Sequence, residues 1–246
     1  MEAMKTAAII QARTGSTRLP NKIFLELAEK PLIAHVVDRL KVSKLIDDTI
    51  IATTTNKNDD SIEKWAKDNM VSYFRGSEEN VLKRYYDCAK KHDADIVVRI
   101  TADDPFKDAN LIDEAISLLI NEELDFVCNN NPATFPEGLD VEVLTFKALE
   151  KSKKKADSDF EKEHVTQYIH KNINEFKVQN IANDVNLSFH RWTIDTKEDL
   201  NYTQAIYNEL YNEDRIFTPQ DIYKLLKNKP EISLINNTVK RSEMYK

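Results

Sequence analysis

The stretch TAAIIQARTGSTRLPNK (residues 6–22) places a short apolar run directly before a basic loop. Residues 6–12 are mostly apolar, and such a run before turn-forming residues predicts a buried strand. Residues 13–22 contain three cations, three hydroxyl side chains, one glycine and no acid. This loop suits a polyphosphate, because amides and hydroxyls donate hydrogen bonds, arginine forks onto oxygens and lysine supplies a point charge. The alternative is a solvated basic loop without a ligand.

Beyond this loop, short β-branched runs alternate with segments that have helical spacing. The predicted strands of this half cover residues 48–55, 71–75 and 95–101, and the predicted helices lie near residues 32–40, 62–70, 81–89 and 111–120. Near-continuous apolar strands that alternate with helices indicate an α/β fold, in which a mostly parallel sheet is covered by helices on both faces.

The second half of the chain has a less regular pattern. Strands are predicted at residues 125–129, 138–145, 176–182 and 190–195, and helices at 146–154, 160–172, 197–211 and 219–227. We therefore expect one domain over residues 1–235, with an antiparallel excursion at residues 125–185 that covers a ligand or pairs with another subunit. Residues 236–246 are expected to form a frayed polar tail.

Composition excludes several classes of protein. The 246 residues carry a net charge of −7, which argues against an electrostatic grip on nucleic acid. No stretch approaches the ~20 apolar residues of a membrane span, and the N-terminal segment lacks a signal-peptide core. Cys88 and Cys128 form no metal-binding or redox spacing, and the five histidines include no pair four residues apart. These features predict a cytoplasmic protein with reduced thiols and no zinc site.

Glycine is rare, since only Gly15, Gly76 and Gly138 occur in the whole chain. Their wide spacing excludes both the GxGxxG fingerprint and the P-loop, each of which needs two glycines within a few residues. The three that remain are expected at positions where a side chain does not fit.

Acidic residues follow two predicted strands, at the sheet edge where ligands of open parallel sheets bind. Asp103 and Asp104 follow the strand at residues 95–101, and Asp195 ends the apolar segment at residues 190–195. Carboxylates of this kind suit Mg²⁺ together with phosphate and water. The alternatives are a helix-capping pair for Asp103 and Asp104, and a helix N-cap for Asp195.

Several motifs together resemble one family. QARTGSTRLPNK (11–22), RITADDPF (99–106) and IDTKEDL (194–200) resemble segments of the cytidylyltransferases that make CMP-activated sugars, which include the CMP-sialate and CMP-ketodeoxyoctonate synthetases. Four further segments resemble the spore-coat-polysaccharide branch of that family: IIATTTN (50–56), RGSEENVLKRYY (75–86), FPEGLDVEVLT (135–145) and EKEHVTQYI (161–169). The resemblance runs in order from about residue 5 to about residue 205.

The resemblance implies a Rossmann-like nucleotide-binding sheet of the nucleotide-diphospho-sugar transferase type. It also implies a homodimer and a CTP-dependent reaction with Mg²⁺. CMP would pass to a sugar, sugar-phosphate or phosphonate acceptor with release of pyrophosphate, in the synthesis of surface glycans. The metal ligands implied are Asp103 and Asp195, and the catalytic residues are Arg13, Lys22 and Asp103. The implied nucleotide-binding residues are Ala12, Arg13, Gly15, Ser16, Lys22, Thr53, Arg75, Ser77 and Thr101.

The acceptor side is less defined. Residues assigned to it are Arg18, Asp140, Glu142 and His164. Asp140 and Glu142 alternate on a predicted strand, so that both are expected on one face, with a half-buried strand as the alternative. His164 is a candidate base if the acceptor is a hydroxyl, whereas an ionised phosphate or phosphonate needs none. The alternative for His164 is a structural helix histidine.

The chain departs from the better-known branches of the family. Thr17 or Arg18 stands where the sialate enzymes have glycine, and Ala102-Asp103-Asp104-Pro105 replaces the Gly-Asp-Glu-Pro segment of the octulosonate enzymes. The acceptor is therefore left open between a sugar acid, a polyol phosphate and a phosphonate. Two other functions stay open, a nucleotide-sugar glycosyltransferase, which would carry Asp-x-Asp, and a non-catalytic nucleotide-binding module.

Overall fold

A computed structural model describes residues 4–16 and 18–240, and seven of its strands form one sheet. In chain order the strands are β1 (Thr6–Gln11), β2 (Glu26–Leu27), β3 (Lys30–Pro31), β4 (Asp48–Thr54), β5 (Ser72–Gly76), β6 (Ile96–Thr101), β7 (Phe126–Cys128), β8 (Glu142–Thr145) and β9 (Val178–Asn180). The large sheet has the spatial order β5-β4-β1-β6-β8-β7-β9, and β2 and β3 form a separate antiparallel pair.

Helices lie between most of the strands in the chain, and two further helices come after the last strand. They are α1 (Leu32–Lys41), α2 (Asp60–Asp68), α3 (Val81–Lys91), α4 (Ala109–Asn121), α5 (Phe146–Lys155), α6 (Asp159–Glu163), α7 (Gln167–Lys171), α8 (Lys197–Leu210) and α9 (Pro219–Asn228). Four short 3₁₀ helices add to these, of which Lys22–Phe24 matters for the site.

The first half of the sheet is parallel, as predicted. β4 and β6 pair with β1 on its two sides, and β5 pairs with β4. The chain moves outward from β1 to β4 and β5, and then returns to β6 on the other side of β1. The loops after β1 and β6 therefore diverge, which creates the switch point where open α/β sheets bind ligands.

Two apolar clusters cover the two faces of this sheet. Ala8 and Ile10 of β1 belong to one cluster, with residues of α1, α2 and α4. Ala7 and Ile9 belong to the other, with residues of α3, α5 and α7. Successive side chains of a strand point to opposite faces, so the apolar run of β1 is buried on both sides. This arrangement confirms the layers that the sequence predicts.

The second half of the sheet contains the predicted antiparallel excursion. β8 pairs antiparallel with both β6 and β7, while β9 pairs parallel with β7. The strand predicted at residues 138–145 begins only at Glu142. Before it, the Asn129 side chain donates to the carbonyl of Leu139 (2.9 Å) and accepts from the amide of Val141 (2.8 Å). These side-chain bonds replace ladder bonds, so the backbone there is not a strand.

The strand predicted at residues 190–195 is wrong. This segment makes only an isolated bridge, between Glu137 and Arg191. The Trp192 amide donates to the Glu137 carbonyl (2.7 Å), and the Ile194 amide donates to the Asp103 carbonyl (3.0 Å). The apolar pattern arises because Trp192 and Ile194 pack in a third cluster with α8 and α9. Burial, and not strand pairing, explains the pattern.

The C-terminal region also differs from expectation at one residue. Asn236, where the frayed tail was expected to begin, is buried, and its Nδ2 donates to the Arg191 carbonyl (3.0 Å) and to Asp199 Oδ1 (3.1 Å). The rest of the predicted tail from residue 241 lies outside the described residues. The expected single domain over residues 1–235 stays a prediction.

The two cysteines are buried free thiols, as expected for structural residues. Burial raises the pKa of Cys88 and of Cys128 to about 12, so neither thiol forms a reactive thiolate near neutral pH. Among the residues that the structure describes, no helix has the length and apolar character needed to cross a membrane. The cytoplasmic location stays a prediction.

Candidate nucleotide site

A cleft of about 580 Å³ opens at the carboxyl ends of β1 and β6, where the switch point of the sheet lies. Its walls come from the loops after these two strands, the first turn of α3, the segment before β8 and the segment before α8. Eight of the residues assigned to the site from the sequence line it, together with Gly138: Ala12, Arg13, Thr101, Asp103, Asp140, Glu142, His164 and Asp195. The cleft therefore brings together segments that are distant in the chain.

The loop after β1 is anchored by Asp59, which lies just before α2. The Thr14 amide and hydroxyl both donate to Asp59 Oδ1 at 2.8 Å, and the Thr54 hydroxyl donates to the other carboxylate oxygen. Asp59 is only 3% exposed. Because Thr14 is held in the interior, the neighbouring Arg13 is left at the surface of the cleft.

Lys22 joins the two acids that were predicted to bind a metal. Its Nζ lies 2.6 Å from Asp103 Oδ2 and 2.9 Å from Asp195 Oδ1, and it donates to the Ile194 carbonyl at 3.0 Å. Lys22 opens a short 3₁₀ helix behind Asn21, whose left-handed φ of 54° turns the chain into the cleft. The two carboxylates therefore converge on one atom although 92 positions separate them in the chain.

Charge pairing sets the ionisation of this cluster. Burial alone would lower the pKa of Lys22, but Asp103 and Asp195 outweigh it and hold that pKa above its ordinary value. Burial alone would raise the pKa of Asp103, and the Lys22 ammonium holds it below its ordinary value instead. Asp103 is therefore a carboxylate at neutral pH, which is the form that binds a cation.

Asp104 has a different environment from its neighbour. Its Oδ2 accepts from the Thr101 hydroxyl (2.6 Å) and lies 2.8 Å from Lys107 Nζ, and the residue is buried. Burial raises the pKa of the Asp104 carboxyl, with the charge of Lys107 acting against it. Lys107 Nζ also donates to the Asp140 carbonyl (2.5 Å). The pair Asp104 and Lys107 therefore fixes the loop that presents Asp103.

Arg191 binds the carboxylate oxygen of Asp195 that does not contact Lys22. Its Nη2 lies 2.9 Å from Asp195 Oδ2, its Nη1 lies 2.7 Å from Glu137 Oε1, and its Nε lies 3.0 Å from Asp199 Oδ1. Burial acts to lower the pKa of Arg191, but these acids raise it above its ordinary value. Asp199 also caps α8 by accepting from the Thr196 amide (3.0 Å). One oxygen of Asp195 thus faces Lys22 while the other is held by Arg191.

Asp140 and Glu142, two of the residues assigned to the acceptor, line the same cleft. Asp140 precedes β8 and accepts from the Gly138 amide (3.0 Å), whereas Glu142 begins the strand, so the two acids do not alternate on one strand as predicted. Glu142 is buried, paired with Arg99, and accepts from the Thr166 hydroxyl (2.7 Å). Its carboxylate is therefore already engaged within the protein.

His164 also lines the cleft, at the end of α6. Burial lowers the pKa of its imidazole, with Glu163 acting against this effect. A neutral imidazole near neutral pH is the form that a general base requires. Arg18, assigned to the acceptor, instead lies 3.3 Å from Asp195 Oδ1 through its Nη2, and its side chain is 64% exposed.

Other predicted nucleotide-binding residues have neighbours outside the cleft. Thr53 is fully buried in β4. Arg75 pairs with Asp60 (2.6 Å) and Glu63 (2.9 Å) of α2, so its guanidinium already has two partners within the protein. Gly15 and Ser16 belong to the anchored first loop, and Ser77 lies at the turn before α3, where its Oγ accepts from the Asn80 amide (3.0 Å).

Sequence reasoning did not find three charged residues of the site. They are Arg84, Lys107 and Arg191. A single sequence contains little signal for them, because each acts through partners that are distant in the chain or through burial. The segment His190-Arg191-Trp192 was noted only for its apolar pattern, although a charged residue inside that pattern is itself a signal of a buried ion pair.

Gly138 meets the expectation for a glycine that tolerates no side chain. Its φ is 100°, and a Cβ there would lie 2.7 Å from the backbone carbon of Trp192 and 2.8 Å from the backbone nitrogen of Thr193. Gly15 does not meet this expectation, because a Cβ at that position would have no neighbouring atom within 4 Å. The close approach at Gly138 lets residues 137–140 pack against the segment that ends in Asp195.

A mostly parallel sheet with a charged cleft at its switch point defines an α/β protein of Rossmann-like fold whose ligand site lies at the carboxyl ends of the strands. A family model described as cytidylyltransferase matches residues 7–231. The chain therefore belongs to the cytidylyltransferase family, as its motifs suggested.

Two curated relatives match most of the chain. An uncharacterised protein of Methanocaldococcus jannaschii is 39% identical over 242 residues, which cover 97% of each chain. The spore coat polysaccharide biosynthesis protein SpsF of Bacillus subtilis is 34% identical over 208 residues, which cover 82% of this chain and 85% of SpsF. Among solved structures, a cytidylyltransferase from Leptospira borgpetersenii has a TM-score of 0.89 at 35% identity, covering 94% of this chain and 97% of that one.

Proposed function

We propose that this protein transfers CMP from CTP to an acceptor oxygen and releases pyrophosphate. The acceptor oxygen attacks the α-phosphorus in line, and the bond from that phosphorus to the oxygen that bridges to the β-phosphorus breaks. The bridging oxygen leaves with pyrophosphate and keeps the bonding electrons. The protein's contribution to such a step is to position the reactants and to offset developing charge.

The convergence of Asp103 and Asp195 on Lys22 Nζ supports this proposal most directly. Both carboxylates line the cleft at the switch point, and the exposed Arg13 lines it as well. A triphosphate needs several cations at fixed positions, and the loop after β1 carries Arg13, Arg18 and Lys22.

The donor set also fits Mg²⁺. Within the described part of the chain no group of three or more His, Cys, Asp or Glu side chains forms a metal site. Mg²⁺, however, commonly uses one or two carboxylates and takes its other ligands from water and substrate phosphates. Asp103 and Asp195 would hold the ion, which offsets charge on phosphate oxygens when bound.

Lys22 and Arg13 have separate tasks in this proposal. Arg13 is exposed in the cleft and is available to a phosphate from the start. Lys22 is paired with both acids, and its ammonium would turn from Asp103 and Asp195 toward the phosphates if those two acids held a divalent ion. The same ammonium would then stabilise the negative charge of departing pyrophosphate.

The need for a base depends on the acceptor. A phosphate or phosphonate oxygen is already ionised, whereas a hydroxyl proton must be removed as the bond to phosphorus forms. His164 would take that proton, because burial keeps its imidazole neutral and it lines the acceptor side of the cleft. The name of the relative SpsF points to a glycan precursor as the acceptor, and to surface polysaccharide synthesis as the pathway.

The experiment is a pyrophosphate-release assay with CTP, Mg²⁺ and a panel of sugar acids, sugar phosphates, polyol phosphates and phosphonates. The expected result is release with at least one acceptor, with CTP preferred over UTP, ATP and GTP. Loss of release on removal of Mg²⁺ with a chelator, and recovery on its return, would test the metal. No release with any acceptor, together with stabilisation by UDP-sugars and not by CTP, would favour a glycosyltransferase instead.

Homodimer formation and the cytoplasmic location are part of the same proposal. The resemblance to the family is their basis, and the antiparallel excursion at residues 125–185 is the surface proposed for the dimer. Sedimentation of the full chain at several concentrations would measure the oligomeric state. A monomer at all concentrations would reject the dimer and leave the proposed reaction unaffected.

A further inference from the structure

Arg84 is a buried cation in the wall of the cleft that no acid neutralises by direct contact. It lies in the first turn of α3, and the residue is 2% exposed. Its Nη1 donates to the Ser77 carbonyl at 2.6 Å. Within residues 4–16 and 18–240, its Nε has no hydrogen-bond partner and no carboxylate lies within ion-pair distance of its guanidinium.

Other buried arginines of the protein have their charge compensated. Arg191 contacts three carboxylates. Arg39 donates to the Phe217 carbonyl at 3.0 Å and its guanidinium lies 4.3 Å from the Phe217 ring centroid. A buried charge without such partners is costly, so its retention needs a reason. The cost appears as a lowered pKa of Arg84, caused first by burial.

The turn before α3 is shaped around this side chain. A Cβ at Gly76 would lie 2.8 Å from Cε1 of Phe74 and 3.0 Å from Cγ of Arg84. Glycine at this position therefore leaves room for the stem of Arg84 beneath the turn. The bond from Arg84 to the Ser77 carbonyl then fixes the guanidinium against the same turn.

A second cation, which forms no ion pair with the described residues, faces the same cleft. Arg13 is exposed, lines the cleft, and its charge contributes to the lowered pKa of Arg84. Asp59 and Glu78 act on Arg84 only from a distance, since Asp59 accepts from Thr14 and Glu78 accepts from the Asn56 side chain (3.1 Å). Two neighbouring cations that repel each other create a site for an anion.

We propose that Arg84 is a phosphate-binding residue, which together with Arg13 receives an anionic phosphate group of the bound nucleotide. This inference rests on the proposed function for the identity of the ligand. α3 follows β5, which lies beyond β4 on the side of β1 away from β6, whereas Asp103 follows β6. Arg84 therefore lines the cleft from α3, whereas Asp103 lines it from the loop after β6. The Arg84 Nε has no hydrogen-bond partner within the described part of the protein, so the protein alone does not satisfy all the donors of this guanidinium.

The test is calorimetric binding of cytidine, CMP, CTP and inorganic triphosphate at constant Mg²⁺ to the wild type and to Arg84→Gln. We expect the variant to bind CMP, CTP and triphosphate roughly ten- to hundredfold more weakly, as for loss of a hydrogen bond to a charged group. Cytidine affinity should change less than about twofold, because cytidine lacks the phosphate. Arg84→Lys keeps the charge, and it should recover part of the affinity for the phosphate ligands.

Arg215→Gln is the control for the change in net charge. Arg215 precedes α9 and pairs with Asp221 within that helix, and the Arg215 side chain is 66% exposed. This variant should bind all four ligands as the wild type does. Thermal unfolding of each ligand-free variant separates loss of fold from loss of binding, and Arg84→Lys keeps the test usable if Arg84→Gln unfolds.

Equal weakening for cytidine and CMP would overturn the assignment, because Arg84 would then contact the base or ribose. Unchanged affinity for all ligands, or no triphosphate binding by the wild type, would overturn it as well. Wild-type protein that binds triphosphate through Arg84 but releases no pyrophosphate from CTP with any acceptor would reject the proposed reaction and leave the phosphate site standing.

Discussion

The backbone amide of Ile194 donates a hydrogen bond of 3.0 Å to the carbonyl oxygen of Asp103. This bond joins the loop after β6 to the residue that directly precedes Asp195. The two acids are therefore held near each other by the backbone as well as by Lys22. Removal of one side chain should leave the other in position, so that mutation of either acid tests chemistry and not folding.

We predict that Asp103→Asn lowers turnover about 10²- to 10³-fold, the usual cost of losing one charged contact in an active site. Stability should change little, because Asp103 is a quarter exposed on its side chain and Lys22 keeps Asp195 as a partner. Pyrophosphate release and thermal unfolding would measure the two effects. Asp68→Asn, at an exposed i,i+4 pair on α2, is the matched control and should retain full activity. Normal turnover of Asp103→Asn would reject the metal role.

Gly138 and Gly15 offer a paired test of backbone requirement. Gly138→Ala should lose more than about 1–3 kcal/mol of unfolding free energy, because it adds strain at a φ of 100° to a clash with the backbone of Trp192 and Thr193. Gly15→Ala should not destabilise, since its Cβ would meet nothing within 4 Å. Urea denaturation of both variants gives the comparison. Equal stability of the two would contradict the packing of residue 138 against the segment before Asp195.

The sequence predicted an element correctly where its local apolar pattern matches its packing in the fold. The apolar run of β1 is buried on both faces, and the loop after it does reach the acids, so the strand and the basic loop could both be predicted. Asp103 and Asp195 were identifiable because each follows an apolar segment at an edge of the structure. The sequence could not show that the segment before Asp195 is no strand, since burial by α8 and α9 produces the same apolar pattern.

The sequence could not predict the partners of residues whose contacts lie far away in the chain. The sequence did not reveal that Glu142, assigned to the acceptor, pairs with Arg99 opposite it on β6. Nor did it reveal that Arg75, assigned to the nucleotide, pairs with Asp60 and Glu63 of α2, and both site roles stay predictions. In both cases the residue type fits binding chemistry, and only the register of strands and the packing of helices decide which partner it meets.

Arg191 should be a positioning residue whose loss is costly. Arg191→Met would remove the cation that contacts the buried carboxylate of Asp199, and breaking a buried pair in this way typically costs about 3–5 kcal/mol. Chemical denaturation would measure the unfolding free energy. Arg215→Met, at an exposed pair, should cost less than about 1 kcal/mol. A loss at Arg191 no larger than at Arg215 would show that the network contributes nothing to stability.

Glu142 predicts a pH dependence of stability. Burial acts to raise its pKa, but Arg99 and His170 outweigh this and lower that pKa below its ordinary value. In the unfolded chain the carboxyl takes up a proton near pH 4.3, while the folded chain keeps it ionised, so its contribution is present above that pH and is lost as the pH falls. Unfolding free energy measured from pH 7 to pH 3 should therefore fall less steeply in Glu142→Gln than in the wild type. Identical slopes would contradict this ionisation.

We predict that the Lys22 ammonium and a divalent ion compete for the carboxylates of Asp103 and Asp195. In Lys22→Met the two carboxylates lose the cation that contacts both of them, so Asp103 and Asp195 should bind Mn²⁺ more tightly when no nucleotide is present. Turnover should nevertheless fall about 10²- to 10³-fold, because the ammonium no longer stabilises phosphate charge. Electron paramagnetic resonance of free Mn²⁺ would give the affinity, and pyrophosphate release the turnover. Lys64→Met, whose ammonium pairs with Asp68 on α2, is the control that should change neither. Weaker Mn²⁺ binding by Lys22→Met would mean that Lys22 supports the ion, and the exchange of one cation for the other would be wrong.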